Sequence, residues 1–177
     1  MKKIIYYVAT SVDGFISGPD EDISGFMATG DGVARYLADL KNFKTVIMGR
    51  KTYEFGYNYG LKPGQPAYPH MRHYIFSKTL RFEDRSPQIT ICGMDIEIIK
   101  DLKKKSKTDI YLCGGGQFAG WLLENEMIDV LKIKLNPLIL GDGIRIFGAS
   151  SKPFQLRLME SEMFDDGLSI ITYRIQY

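Results

Sequence analysis

A run of three glycines between a strand-like segment and a helix-like one constrains the fold more than any other feature. In this chain of 177 residues, Gly114–Gly116 follow the apolar segment 109–113 and precede a helical pattern over 117–125. Because glycine has no side chain, backbone N–H groups at the start of such a helix can approach a phosphate closely. Tight packing of the strand against the helix, with no ligand, would explain the same glycines.

A second turn of this kind carries two cations and a hydroxyl. The turn Gly49–Thr52 follows the strand-like segment 44–48. Arg50 offers a planar fork of donors, Lys51 a point charge, and the threonine a hydroxyl near a helix start. The two turns together favour a phosphate-binding site. Alternatively, Arg50 pairs with Glu54 one helical turn later, a surface contact worth only about 0.3–0.5 kcal/mol.

Composition and charge narrow the class of protein. Hydrophobic residues make up 45% of the chain and charged residues 25%, which is ordinary for a soluble globular protein. The net charge of +2 gives no argument for nucleic-acid or membrane binding. The densest positive run, 103–107, is interpreted as the solvated end of a helix. No apolar run is long enough to span a membrane.

The cysteines and histidines indicate neither disulfide bonds nor a metal site. Cys92 and Cys113 each end an apolar segment, so we expect small buried side chains in a reducing compartment. The histidines are His70 and His73, and no C-x-x-C spacing occurs, so we predict no metal site. Polar residues over 10–13 interrupt the apolar N-terminus, which we therefore interpret as the first strand of a cytoplasmic protein rather than a signal peptide.

Hydrophobic periodicity predicts strands and helices that alternate through one domain, 1–177. The strand-like segments are 4–10, 45–48, 73–77 and 88–92, and helical spacing occurs over 33–40 and 98–102. Asp31 and Asp95 stand where caps are expected at the starts of those helices. The polar loop 18–32 between the first strand and helix is typical of a lid or binding loop.

The C-terminal part has a different pattern. Strand-like segments 131–135 and 154–158 alternate apolar and polar residues, and a final strand over 168–177 follows the turn signal 165–167. The last two of these strands predict a hairpin. We therefore predict an α/β fold with a mostly parallel central sheet flanked by helices and a C-terminal antiparallel hairpin.

Four motifs in this order resemble one family. They are ATSVDGFIS at 9–17, VIMGRKTYE at 46–54, CGGG at 113–116 and LNPLILGDG at 135–143. Over essentially its whole length the chain resembles the dihydrofolate-reductase-like fold, and within it the branch containing the reductase domain of the bifunctional riboflavin-biosynthesis deaminase/reductase. The zinc patterns H-x-E and P-C-x-x-C of the deaminase do not occur, so the chain resembles the reductase alone.

The resemblance implies that the chain binds NADPH. The implied phosphate contacts are Gly49, Arg50, Lys51 and Thr52 in one turn, and Gly114, Gly115, Gly116, Gln117 and Phe118 in the other. The implied contacts of the adenosine 2′-phosphate are Ser77 and Lys78, and those flanking the nicotinamide are Ala9 and Ile16. The resemblance also suggests a cis peptide bond between the first two glycines. As an alternative, Lys78 is a plain surface residue after an edge strand.

The catalytic acid is less well defined. Folate reductases of this fold carry an acid on the first helix, and the register places that position near Val33, two residues after Asp31. Asp31 is therefore either a candidate catalytic acid or only a helix cap. Asp13 matches the signature turn of the riboflavin-type branch, or it is simply part of an Asp-Gly turn. Dihydrofolate is accordingly expected to be a poor substrate.

Together, the residues and the resemblance predict an NADPH-dependent reductase of a small heterocyclic substrate, most like the 5-amino-6-(5-phosphoribosylamino)uracil reductase of riboflavin biosynthesis. Dihydrofolate reductase and a non-catalytic NADPH-binding protein are the alternatives. We predict neither a nucleic-acid nor a membrane partner. The apolar content of the C-terminal strands and of the segment 138–147, which is broken by Gly141 and Gly143, predicts a homodimer. Packing of this segment on the chain's own sheet is the alternative.

Overall fold

An eight-stranded sheet with helices on both faces organises the molecule. The computed structural model describes residues 1–177. The strands are β1 (Ile4–Thr10), β2 (Phe15–Ser17), β3 (Thr45–Gly49), β4 (Arg72–Phe76), β5 (Ile89–Cys92), β6 (Ile110–Gly114), β7 (Val130–Leu135), β8 (Ile144–Arg145), β9 (Gln155–Met163) and β10 (Ser169–Gln176). The helices are α1 (Asp31–Leu40), α2 (Arg50–Phe55), α3 (Ile96–Lys105) and α4 (Gly116–Glu124), with 3₁₀ turns at Pro19–Glu21 and Gly56–Tyr59.

The strand order confirms the predicted fold class. The main sheet runs β5-β4-β3-β6-β1-β7-β10-β9, and β2 pairs separately with β8. Neighbouring strands from β5 to β7 are parallel, whereas β10 is antiparallel to both β7 and β9. β1 lies in the centre, with Ile4 beside Ile110 of β6 and Ile5 beside Val130 of β7. This position explains its continuous apolar sequence, because both of its faces are covered.

Each face of the sheet has its own hydrophobic core. Alternate residues of β1 point to opposite faces, so Tyr6 belongs to one core and Tyr7 to the other, and both are fully buried. The first core contains Leu102 of α3 and Leu122 of α4. The second contains residues of α1 and α2, among them Leu40. The cavity described below is lined by residues from both cores.

The helix ends match the predictions in part. The Asp95 carboxylate caps α3 by accepting the N–H of Glu97 at 2.9 Å, as predicted. The prediction of Asp31 as a cap is wrong, because Gly30 occupies that position and Asp31 is the first residue of α1, with no capping hydrogen bond. The lysine run ends α3, but Lys103 is not solvated, since its ammonium lies 2.7 Å from the Asp129 carboxylate. None of the four helices has the length and apolar character needed to cross a bilayer.

The C-terminal hairpin forms as predicted. β9 and β10 pair along their lengths, with a β-bulge at Thr172/Tyr173. Gly167 lies in the left-handed region at φ 86°, where the turn favours glycine. β9 has only β10 as a neighbour and is therefore one edge of the sheet, β5 being the other. Its apolar side chains Leu156 and Leu158 are exposed.

Candidate functional site

A cavity of about 440 Å³ lies where β1, β3 and β6 end. Its walls include Ala9 at the end of β1, Met48 of β3 and Cys113 of β6. Thirteen of the 22 lining residues are hydrophobic, so the walls are mostly apolar. Open α/β sheets bind their ligands at this carboxyl edge, where the strand order changes direction. The size and lining are typical of a small-molecule site.

One end of the cavity, called the glycine end here, consists of Gly114–Gln117 with Lys51 and Thr52. Gly114 and Gly115 have φ values of 141° and 92°, a region that favours glycine. A Cβ atom on Gly114 would have no heavy atom within 4 Å, whereas one on Gly115 would lie 2.9 Å from the Thr52 hydroxyl. On Gly116 it would overlap the carbonyl of Arg145. Close packing therefore explains the second and third glycines, and the first leaves open space toward the cavity.

The suggestion of a cis bond between Gly114 and Gly115 is wrong, because the chain contains no cis peptide bond. The two consecutive glycines with positive φ turn the chain from β6 into α4 without it. Only glycine adopts such angles freely, so the sequence signal was correct about an unusual backbone and incorrect about its type.

The cationic turn divides into two parts. Lys51 and Thr52 line the cavity. Arg50 does not line it, because its guanidinium pairs with the Glu54 carboxylate at 3.1 Å, which was the alternative explanation for this residue. Gly49, the first residue of the turn, does not line the cavity, and a Cβ on it would lie 3.3 Å from the Phe118 Cβ.

Phe118 does not line the cavity but packs in the core beneath the start of α4. Its side chain is buried and stacks on Phe76, with the ring centroids 4.8 Å apart. It also stacks on Trp121 of the same helix at 5.8 Å. Gln117, by contrast, is exposed at the mouth of the cavity.

A second, more open pocket, called the basic pocket here, lies where β4 and β5 end. It contains Ser77 and Lys78, as predicted, and also Arg81 and Arg85. The Ser77 hydroxyl accepts the N–H groups of Thr79 and Leu80, so it shapes the turn after β4. Neither arginine was predicted from the sequence, although both follow Lys78 in one polar loop, which was a usable signal. Three cationic side chains in one pocket favour an anionic ligand.

The apolar walls include both residues expected to flank a nicotinamide, Ala9 and Ile16. The loop 18–32 adds Glu21, the only carboxylate in the lining. This loop is fixed at Met27, whose N–H donates to the buried Asn136 amide oxygen at 3.0 Å. The Lys134 ammonium donates to the Met27 carbonyl at 3.2 Å. Two residues that follow one another closely at the end of β7 therefore hold the loop against the cavity.

The opposite end, called the tyrosine end here, consists of Tyr36, Tyr68, Tyr111 and Cys113. The hydroxyls of Tyr36 and Tyr111 are 2.8 Å apart, and the Tyr68 hydroxyl lies 3.4 Å from the Cys113 sulfur. Burial raises the pKa of all four groups, so they are neutral at pH 7. This cluster was not predicted from the sequence, because its members are far apart along the chain.

Neither predicted catalytic aspartate lines the cavity. Asp31 is exposed at the start of α1. The Asp13 carboxylate accepts the N–H groups of Leu140 and Gly141, at 3.1 and 2.7 Å, and so ties the β1–β2 turn to the 138–147 segment. Hydrogen bonding from Ser11 and from these backbone groups lowers the pKa of Asp13 to about 2. Its geometry is that of a turn-forming residue.

This combination of fold and site defines an α/β domain with a small-molecule cavity at the carboxyl edge of its sheet, and comparison with known proteins identifies the family. The sequence profile of the RibD C-terminal domain matches residues 2–170, so the chain belongs to that family. Two proteins of Bacillus subtilis, YyaP and YwjB, are 24% and 26% identical to it. The alignments cover 97% and 96% of this chain, and 94% and 96% of those proteins, both of which are described as uncharacterized.

Solved structures share the fold. A protein from Shewanella provisionally assigned to riboflavin biosynthesis is 23% identical, with a TM-score of 0.77 and full coverage of both chains. The Thermotoga maritima deaminase/5-amino-6-(5-phosphoribosylamino)uracil reductase is 17% identical, with a TM-score of 0.69 over 99% of this chain and 57% of that one. Dihydrofolate reductase from Enterococcus faecalis, in complex with NADP(H), is 14% identical, with a TM-score of 0.68 over 99% and 97%. The chain therefore has the dihydrofolate-reductase-like fold.

Proposed function

We propose that this chain is an NADPH-dependent reductase of a small heterocyclic substrate, most like 5-amino-6-(5-phosphoribosylamino)uracil reductase. The observation that carries the proposal is the placement of the glycine end and the basic pocket along one edge of the sheet. The first lies at β6 and the second at β4 and β5, two to three strands away. At about 5 Å per strand, this separation of about 10–15 Å suits the length of an extended dinucleotide.

The residues present fit such a cofactor. The open space beside Gly114, the Lys51 ammonium and the Thr52 hydroxyl suit a pyrophosphate at the start of α4. The basic pocket suits a phosphate monoester, which carries nearly two negative charges near neutral pH. We therefore expect Lys78, Arg81 and Arg85 to favour NADPH over NADH.

NADPH supplies a hydride when it is bound, and the protein would bind and orient the cofactor. Ala9 and Ile16 offer small apolar surfaces that would hold the nicotinamide ring and exclude water. A hydride transfer must be balanced by a proton. The candidate proton donors are the ionisable side chains that line the cavity. These are Glu21, Lys51, Cys113 and the four tyrosines Tyr36, Tyr53, Tyr68 and Tyr111.

Titration with both cofactors tests the proposal. Trp121 stacks on Phe118 beneath the glycine end, so its fluorescence is a suitable reporter. We expect NADPH to bind more tightly than NADH. Equal affinity for the two cofactors, or no binding of either, would contradict the proposal.

Assays with candidate substrates separate the alternatives. α1 places no carboxylate in the cavity, since Asp31 is exposed and Val33 is buried in the second core. A pterin's N–H donors would then lack their partner, which costs about 1–3 kcal/mol. We expect little NADPH oxidation with dihydrofolate, whereas rapid turnover that is lost in Asp31→Asn would support the folate alternative. Tight NADPH binding without turnover of any pterin or ribosylated pyrimidine would indicate a non-catalytic binding protein.

We also propose a homodimer. In the 138–147 segment, Ile139 is 75% exposed, whereas Ile146 and Phe147 pack against the first core. The segment is thus partly internal. Leu156 and Leu158 on the edge strand β9 are also apolar and exposed, and they offer a second, separate candidate contact surface. Static light scattering at micromolar concentration tests the proposal, because a mass near 20.1 kDa rather than twice that would exclude the dimer.

A further inference from the structure

Lys134 is a buried cation without a counter-ion. The residue is 6% exposed, and it takes part in none of the ion pairs of the chain. Its ammonium has three N–H donors and makes one hydrogen bond, to the neutral Met27 carbonyl at 3.2 Å. Burial lowers the pKa of this ammonium. An unpaired buried charge lowers the stability of a fold, and such departures from good packing are expected at functional sites.

Lys132, two residues earlier on the same face of β7, is paired in the ordinary way. Its ammonium lies 2.7 Å from the Asp39 carboxylate. Asp39 also pairs with Arg35 at 3.2 Å, and Arg35 pairs with Glu162 at 2.8 Å. The two cations and two carboxylates of this network compensate one another. The charge of Lys134 is therefore the uncompensated one on this face of the strand.

Lys134 lies beside the part of the cavity that is expected to hold the nicotinamide. It is the register partner of Ala9 on β1, and its ammonium stands 5.4 Å from the centre of the Tyr36 ring. Both Ala9 and Tyr36 line the cavity. A cation over the face of a phenol ring favours the phenolate, because it attracts the added negative charge. Lys134 therefore favours the loss of a proton from Tyr36.

The bond between the hydroxyls of Tyr36 and Tyr111 makes Tyr36 the more acidic of the two. The oxygens are 2.8 Å apart, and Tyr111 is 1% exposed whereas Tyr36 is half-buried. When Tyr111 donates in this bond, the O–H group of Tyr36 is free for a ligand in the cavity. Burial raises the pKa of Tyr36, and the hydrogen bond from Tyr111 lowers it. Burial and the same bond both raise the pKa of Tyr111.

The other ionisable groups of the lining are less suited to donate a proton. The Tyr53 hydroxyl donates to a backbone carbonyl at 2.8 Å, and the Tyr68 hydroxyl and the Cys113 sulfur contact each other at 3.4 Å. Glu21 has no proton to donate when it is ionised. Lys51 belongs to the glycine end. The titratable groups packed around Tyr36 are Tyr7, Tyr68, Tyr111, Cys113 and Lys134, and Lys134 supplies their only positive charge.

We infer that Tyr36 donates the proton that balances hydride transfer, and that the Lys134 ammonium stabilises the phenolate left behind. When the carbon of a C=N or C=O bond in the substrate receives hydride from NADPH, the electron pair of the double bond moves to the nitrogen or oxygen. That atom takes the proton of the Tyr36 hydroxyl, whose O–H bond breaks, and the phenolate later regains a proton from water. The cofactor ends as NADP⁺. Lys134 does not line the cavity and acts through Tyr36.

The inference rests on the proposed function and deepens it by naming the proton donor. Its first test needs no substrate and separates a functional lysine from a structural one. Lys134→Met removes an unpaired buried charge, so the midpoint of urea denaturation should be at least as high as in the wild type. Lys132→Met is the matched control, and its midpoint should fall because Asp39 loses its closest partner. A lower midpoint in Lys134→Met as well would overturn the role of Lys134.

Replacement of Tyr36 by 3,5-difluorotyrosine tests the link between the two residues in the free protein. The fluorinated phenol is more acidic than tyrosine, so absorbance can follow its ionisation at a pH where the protein is folded. Addition of Lys134→Met should raise the pH of this ionisation by about one unit, a tenfold loss of acidity. Lys134→Arg should restore it, because arginine keeps the charge. The same ionisation in all three proteins would overturn the link.

Turnover tests Tyr36 itself. With NADPH and 5-amino-6-(5-phosphoribosylamino)uracil, Tyr36→Phe should lower kcat by about 100-fold or more and leave NADPH affinity unchanged. Tyr74→Phe, on β4 and outside the cavity lining, is the control and should keep the wild-type kcat. In the difluorotyrosine protein, kcat should fall above the pH at which the new phenol ionises, because the phenolate has no proton to give. This profile decides the question if Tyr36→Phe fails to fold.

The outcomes separate the inference from the proposed function. Wild-type protein that does not bind NADPH, or does not oxidise it with this substrate, would defeat the proposed function and the proton-donor role with it. Normal turnover by the wild type that is retained in Tyr36→Phe, or a difluorotyrosine protein whose kcat does not respond to ionisation of the phenol, would overturn the inference alone.

Discussion

The two ends of the cavity differ in the kind of chemical group that forms them. The glycine end consists of the backbone of Gly114–Gln117 together with the side chains of Lys51 and Thr52. Each of these two groups comes from one strand-to-helix turn and is therefore a short continuous piece of sequence. The tyrosine end consists of neutral side chains whose positions depend on packing between distant parts of the chain, since Tyr36 and Tyr111 are 75 residues apart. The contrast teaches that short continuous segments of sequence encode one end of a cavity, whereas only the folded chain assembles the other end. We therefore expect the two ends to be disrupted by different changes of pH or sequence.

Lowering the pH should act on the tyrosine end through His73, and this is the largest effect we expect. The Tyr68 N–H donates to Nε2 of His73 at 3.1 Å, so the neutral ring carries its proton on Nδ1, which lies 3.2 Å from the Met71 carbonyl. Burial lowers the pKa of His73 from 6.5 to about 4. Protonation would remove the acceptor for the Tyr68 N–H.

The direction of the pH effect follows from this shift. Between pH 6.5 and about 4 the unfolded state binds a proton at this histidine that the folded state does not bind. The free energy of unfolding is therefore unaffected by His73 above pH 6.5, and it decreases as the pH is lowered from 6.5 to about 4. The loss should reach about 3 kcal/mol. Urea denaturation from pH 7 to 4 measures it, and His73→Gln should remove most of this component. His70→Gln is the control, and an unchanged pH profile in His73→Gln would contradict the prediction.

Gly116→Ala tests whether the glycine end depends on close packing. The added Cβ would overlap the Arg145 carbonyl and lie 3.0 Å from the Gly148 nitrogen, so backbone must move. We expect a loss of about 2 kcal/mol in the free energy of unfolding, together with weaker NADPH binding. Gly93→Ala is the control for stability alone, because its Cβ would meet no atom within 4 Å but the residue lines the basic pocket. Similar stability of the two variants would show that the overlap is easily relieved.

The contrast between the ends also explains what the sequence could predict. The glycine turns, the alternation of strands and helices and the C-terminal hairpin are local patterns, and they were predicted correctly. The tyrosine end was missed because no local signal links α1, the loop before β4 and β6. The capping role of Asp31 was predicted wrongly for a different reason. α1 begins one residue earlier than the sequence suggested, which moves Asp31 from the cap position into the first turn. Arg81 was missed although it is only three residues from Lys78.

The smallest effect should come from removing one charge of the basic pocket. Lys78 is exposed, so its contact with a phosphate is screened by solvent, and Lys78→Ala should weaken NADPH binding by about 1 kcal/mol, or about fivefold. NADH binding should be spared, because NADH lacks the 2′-phosphate. Lys104→Ala, an exposed lysine at the end of α3, is the control. Raising the salt concentration should reduce the NADPH preference of the wild type, because screening weakens the contacts of the basic pocket with the 2′-phosphate. Equal weakening of NADPH and NADH in Lys78→Ala would place the lysine near a phosphate common to both cofactors. The charge of the basic pocket would then contribute to general affinity and not to the choice between cofactors.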